Sequence, residues 1–242
     1  VPVLAIVNVI GSSIAREADY VMYTWAGPEI AVATTKAYSS QLAAIYLISV
    51  LFGRIRGFIN QEDYITYQNE LKQLPQKIQQ VLDDKERIQW FSNKFASSKD
   101  VFFVGRGLDY ATALESSLKL KEVSYIHSEA YAAGELKHGP ISLIESGVLT
   151  VGIATQSDLY EKLISNLKEV QARGGYLMGI TNYGNYDIED TVDFTVYVPN
   201  TSKYFTTSLA ILPLQLLSYY ITLAKGLDVD KPRNLAKSVT VG

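Results

Sequence analysis

The feature that most limits how this chain can fold is the alternation of short apolar, β-branched runs with longer helical patterns. The runs "VLAIVNV" (3–9), "DVFFVGRG" (100–107), "VLTVGIAT" (148–155), "YLMGITN" (176–182) and "DFTVYVP" (193–199) read as buried strands, because most of their successive positions are apolar. Helical patterns lie between most of them: 108–126 after Gly107, 158–175 with a Gly-Gly stop, and 208–226 ending at Gly226. This spacing predicts an α/β fold, a three-layer αβα sandwich on a mainly parallel sheet.

An internal repeat refines that expectation. "LAIVN" at 4–8 aligns with "MGITN" at 178–182 and Asp19-Tyr20 with Asp193-Phe194, both at an offset of 174. Gly53, read as ending a helix, aligns with Gly226 at 173. Two copies of one unit are implied. The second copy holds two strands and two helices, from 100 to about 175, without counterpart in the first, so the chain is expected to start partway through its first domain. Between the copies Leu71, Leu74, Ile78, Leu82, Ile88, Phe91 and Phe95 recur at helical spacing among polar residues, an amphipathic segment that Pro75 is set to kink or divide. The expected division is 1–60 for the partial copy, 61–99 for a helical linker, 100–226 for the complete copy and 227–242 for a tail.

Composition narrows the function classes. With 242 residues and 48% hydrophobic content the chain can bury a sizeable core. A net charge of −3 gives no reason to expect nucleic acid or an anionic membrane as partner, and the absence of cysteine removes thiolate chemistry and disulfides. The N-terminus lacks a basic segment, and the longest apolar run, 42–52, is far short of the roughly 18 residues of a membrane span. A cytoplasmic protein is expected.

Titratable groups concentrate in "KLKEVSYIHSEAYAAGELKHGP", 119–140, which holds both histidines. On a helix over 111–126, Glu115, Lys119, Glu122 and Ile126 share a stripe about 60° wide. A solvated face of ion pairs is the ordinary reading of such a stripe. Leu114, Leu118, Leu120, Val123 and Tyr125 flank it, however, so the charges are expected to be partly enclosed and one Glu available as a general base. His127 reads as structural. For His138, set among small residues and glycines, a structural and a ligand-facing role stand equal.

Other motifs say less. "GRGLDY" begins like a dinucleotide fingerprint, but its sixth position is Tyr110, which speaks against nucleotide binding. "ATQSD" (154–158) opens a helix, and Asp158 there reads as its cap and not as part of an anion site. The hydroxyls of "AVATTKAYSSQ" (31–41) suit either a cap or a polyol. No metal-ligand spacing is present.

The segments "LKLKEVSYIHSEAYAAGELKHGP", "VNVIGSSIAREAD", "AGPEIAVATTKAYSSQ" and "DVDKPRNLAKSVTV" closely resemble the isomerase part of the glutamine–fructose-6-phosphate aminotransferase (glucosamine-6-phosphate synthase) family, built from two sugar isomerase domains. The resemblance covers essentially the whole chain. It implies that fructose 6-phosphate and ammonia become glucosamine 6-phosphate, with Lys237 forming an imine with the ketose and Glu122 moving a proton between C1 and C2. It further implies that His138 assists ring opening from a neighbouring subunit of a homodimer and that Lys119 supports Glu122. Val32, Thr34 and Ala236 would contact the sugar, and Arg233 would orient a tail folded over the site. No metal or organic cofactor is implied. Thr34 stands where many members have Ser, which keeps the hydroxyl. The family's glutaminase domain and the Ser/Thr-rich phosphate-gripping loop of its first sugar isomerase domain are not in this sequence, which is expected to be a fragment, inactive alone. The alternatives are a non-catalytic sugar-phosphate sensor, disfavoured because Glu122, His138 and Lys237 are all present, and another sugar isomerase or deglycase, disfavoured by the tail.

Overall fold

The computed structural model describes residues 1–237 and divides into two compact units, one of Val1–Lys72 with the tail from Ala236, the other of Gln73–Leu235. The second unit is built on five parallel strands, β3 (Asp100–Gly105), β4 (His127–Ala132), β5 (Leu149–Ala154), β6 (Tyr176–Asn182) and β7 (Phe194–Val198), in the order β4-β3-β5-β6-β7. Its helices are α4 (Lys85–Lys94), α5 (Leu108–Ser124), α6 (Tyr160–Gln171) and α7 (Thr207–Ala224). The β3-α5-β4 and β5-α6-β6 crossovers step in opposite directions along the sheet. Because such crossovers share one hand, α5 and α6 lie on opposite faces. That makes the three layers.

The pleat assigns the core. Phe102 and Val104 of β3 pack with Leu163, Ile164, Leu167 and Val170 of α6, while Val101 and Phe103, equally buried, point to the other face, where α5, α7 and α4 pack together. Each fully buried side chain of this size stabilises the fold by about 1.5–3 kcal/mol. On β5, Gly152 is small because Leu167 needs the space: a Cβ there would lie 2.7 Å from a Leu167 methyl.

The first unit contains β1 (Leu4–Val7), α1 (Ser13–Glu17), β2 (Tyr20–Tyr23), α2 (Lys36–Ile55) and the start of α3 (Gln61–Asp83). β1 and β2 pair in parallel through Leu4–Tyr20, Ala5–Val21, Ile6–Met22 and Val7–Tyr23. Adding 174 to every number gives Met178–Phe194, Gly179–Thr195, Ile180–Val196 and Thr181–Tyr197, the register of β6 on β7. The repeat is thus one of geometry, the second copy complete and the first partial.

Several expectations need correction. Gly53 lies inside α2, where it accepts the N–H groups of Phe58 and Ile59 and lets Ile59 pack against it. The helix ends at Ile55, so Gly57, with φ +75°, is the counterpart of Gly226 at +68°. α3 runs through Pro75 undivided. α5 ends at Ser124, with left-handed Tyr125 as its cap, so Ile126 is not on the helix. β2 and β4 form outside the five apolar runs of the sequence. By length and composition α2 and α7 could each span a membrane; α7 is largely buried as a core helix, whereas α2 exposes Ile45, Leu47, Leu51 and Phe52.

Candidate active site

In the second unit the site is carried by α5, whose N-terminus is held tightly. Gly105 allows it to start so close to β3: a Cβ there would lie 2.4 Å from the backbone carbonyl of Asp109. Gly105 of "GRG" thus serves helix–strand packing, while Gly107, with φ +58°, makes the turn into α5. The sheet's strand order reverses between β3 and β5, the place where such sheets commonly bind ligands. Here that place is filled by Asp109. Its carboxylate accepts the backbone N–H of Thr155 (2.7 Å) and of Gln156 (3.2 Å) and the Thr155 hydroxyl (2.5 Å). Burial pushes the Asp109 carboxyl up to about 6, against the pull of these hydrogen bonds. Asp158 does not cap α6: Leu159 holds that position, and Asp158 instead pairs with Lys203 at 3.2 Å, which lowers its carboxyl.

Two turns along α5 the acid–base–acid stripe is in place. Lys119, only 5% exposed, sets its Nζ 2.5 Å from Glu122 Oε2 and 3.6 Å from Glu115 Oε1. Burial raises the Glu115 carboxyl, the Glu122 charge adds to this, and Lys119 opposes it. One cation between two carboxylates leaves the cluster an excess negative charge, which favours accepting a proton. Leu120 and Val123 are buried as expected, but Leu114 and Leu118 are exposed, so the enclosure is one-sided. Beside Glu122 lies a groove of 520 Å³ lined also by Leu118, Tyr125, His127, Arg233 and Asn234. Arg233 is held at its edge by donating its backbone N–H to Tyr125 Oη (2.6 Å) and stacking its guanidinium 4.2 Å from the Tyr125 ring centre.

The histidines part company. His127 is exposed with Nδ1 2.8 Å from Asp100 Oδ1. His138 is exposed on the 3₁₀ turn Leu136–His138 and does not line the groove. Glu122 precedes the start of β4 and His138 follows its end, so about 20 Å of strand separates their ends of the sheet. Among the described residues no three His, Asp or Glu side chains gather as a metal would require.

The first unit assembles a second constellation. Val32 and Thr34 lie half-buried in the loop before α2, and Ala236 is exposed next to Lys237. Lys237 Nζ donates to Glu29 Oε2 (2.7 Å) and to the carbonyls of Ala31 (2.9 Å) and Val32 (3.4 Å). Glu29 Oε1 in turn accepts the N–H groups of Thr35 and Ala37, so this carboxylate, and not a hydroxyl of the Thr-rich stretch, caps α2. Burial alone would raise the Glu29 carboxyl; Lys237 and the two N–H groups bring it below the usual range. Glu29 was not among the expected site residues. Its one signal is that it is the sole charge between Asp19 and Lys36.

Comparison with known proteins agrees with this architecture. The SIS domain model matches residues 1–51 and 94–225. The glutamine–fructose-6-phosphate aminotransferase [isomerizing] of Caldanaerobacter subterraneus subsp. tengcongensis is 58% identical over 239 residues and that of Clostridium tetani 54%, each over 99% of this chain and 39% of the relative. The chain therefore spans about two fifths of the length of the curated relatives it matches. Among solved structures, the C-terminal domain of glucosamine-fructose-6-phosphate aminotransferase from Francisella tularensis superposes with a TM-score of 0.90 at 36% identity, over 96% of this chain and 66% of that one. A putative tagatose-6-phosphate ketose/aldose isomerase from Clostridium novyi NT, at 0.83 and 19% over 99% and 63%, shares the fold.

Proposed function

The chain belongs to the SIS domain family, and on that premise we propose that it is the sugar-isomerising part of a glutamine–fructose-6-phosphate aminotransferase, making glucosamine 6-phosphate from fructose 6-phosphate and ammonia. The observation that carries this reading is the half-enclosed Glu115–Lys119–Glu122 stripe, a proton acceptor whose counter-charge is built in. The names and identities of the relatives supply the substrate.

In this reading the amine of Lys237 attacks C2 of the open-chain ketose, and loss of water gives an imine. Ammonia then displaces the lysine, and Glu122 carries a proton from C1 to C2 to leave the 2-amino aldose. Lys119 offsets the carboxylate charge throughout. Val32, Thr34 and Ala236 contact the sugar, and Arg233, seated on Tyr125, orients the tail that bears Lys237. His138 opens the sugar ring in the site of a neighbouring subunit. Its position at the far end of β4 from Glu122 favours that over service in its own chain. The working unit is then a homodimer in the cytoplasm, with ammonia supplied by a glutaminase domain.

Borohydride reduction of the full-length protein with fructose 6-phosphate tests this. The sugar should be found on Lys237 by peptide mass spectrometry, and Lys237→Arg should remain unlabelled, since guanidinium is no useful nucleophile. A label confined to another residue, or a labelled arginine variant, would overturn the reading.

A further inference from the structure

We propose that Glu29 is a positioning residue for Lys237, holding the lysine's nitrogen at the place from which it reacts. This rests on the imine role of Lys237 proposed above. Lys237 sits on a tail in which Leu235 and Ala236 are exposed, and its own side chain is 41% exposed. A lysine there has four rotatable bonds and would spread Nζ over many positions, whereas attack on a carbonyl carbon needs it in one. Three oxygens gather the ammonium, Glu29 Oε2 and the carbonyls of Ala31 and Val32, together matching its three N–H donors. The nitrogen becomes a nucleophile when one of these protons passes to water, and the two N–H groups that remain keep it in place. The two carbonyls belong to the loop that precedes α2 and are placed by the backbone.

Glu29 is itself fixed. Its side chain in the ion pair is 7% exposed, and its other oxygen is held by two backbone N–H groups of the α2 N-terminus. One carboxylate therefore has a different task on each oxygen. Oε1 serves the helix and Oε2 serves the lysine. The rigid element α2 thereby sets the coordinates of a nitrogen 208 positions from Glu29 in sequence. A carboxylate that only capped α2 would not need its second oxygen aimed at Nζ.

Glu29→Gln separates the two tasks. The amide oxygen still accepts the Thr35 and Ala37 N–H groups, while an NH₂ replaces the oxygen facing Lys237 and turns an acceptor into a donor. In the full-length protein this variant should stay folded at the assay temperature, its unfolding temperature lowered by no more than a few degrees for the lost carboxylate charge. Its rate of borohydride trapping at saturating fructose 6-phosphate should fall at least about tenfold, the equivalent of losing one charge-assisted hydrogen bond, with the half-saturating sugar concentration changed by less than about threefold. Trapping at the wild-type rate, or an equal loss in affinity with no loss in saturated rate, overturns the proposal. A second measurement does not depend on imine chemistry: acylation of Lys237 by acetic anhydride without sugar, followed by mass spectrometry. Freed from Glu29, Lys237 should label several-fold faster in Glu29→Gln than in wild type, and unchanged labelling sinks the link. If labelling rises while the wild-type protein forms no sugar adduct, the Glu29–Lys237 link stands and the imine role falls.

Discussion

Asp19 and Asp193 make the same bond 174 residues apart: Asp19 Oδ2 accepts the backbone N–H of Val3 and Asp193 Oδ2 that of Leu177, each at 2.8 Å. Each aspartate stands just before a strand and ties it to the start of its parallel neighbour, and the ladder that follows has the same register in both copies.

The two bonds differ in what surrounds them, so the variants should differ. Leu177 is fully buried and Val3 is 55% exposed. Asp193→Ala leaves the Leu177 N–H without its partner and should cost about 1–3 kcal/mol, whereas after Asp19→Ala water can replace the carboxylate at a cost below about 0.5 kcal/mol. Urea unfolding of the two variants checks the difference. Equal costs would mean that burial does not set the price here.

Asp109 gives the protein a pH dependence of known sign. Its carboxyl lies at about 6 in the fold against an ordinary 3.8, so the folded chain holds the proton more tightly than the unfolded one. The stability it contributes is complete below 3.8 and is lost as pH rises through 6. Relative to Asp109→Asn, which cannot titrate, wild-type stability should drop by about 1–1.5 kcal/mol between roughly pH 5 and 7.5. Parallel curves for the two proteins would contradict the assignment.

Glu122→Gln keeps the shape of the proposed proton carrier and should lower turnover of the full-length protein by at least about a thousandfold, with sugar affinity within a few-fold. His138→Ala should be impaired too. Because the two residues sit at opposite ends of β4, mixing the variants under subunit exchange should restore part of the activity through dimers that own one intact site. No recovery in demonstrated mixed dimers would put both residues in the site of one subunit.

Among the described residues, five of the seven strands are legible as apolar runs because strands covered on both faces need apolar residues at nearly every position. β4, "HSEAYA", escaped because it is an edge strand with a polar face, and β2, "YVMY", because four residues carry too little pattern. The stripe on α5 was equally readable, since Glu115, Lys119 and Glu122 lie within two turns and helical geometry alone brings them together. Local signals failed where the deciding neighbour is remote in sequence. Asp158 resembles a cap but is drawn to Lys203, and the Thr-rich start of α2 resembles a self-capping helix but is capped by Glu29.

The sequence by itself determined the α/β class, the repeat with its offset of 174, the family, and the acid–base–acid face of α5, all of which depend on short-range periodicity or on direct similarity. Only the tertiary structure decided that Asp109 occupies the donors at the strand-order reversal, that Glu122 and His138 lie at opposite ends of one strand, and that Glu29 holds Lys237. Those relationships join residues whose spacing along the chain obeys no period, and packing of the complete fold sets which charges and N–H groups come within 3 Å of one another.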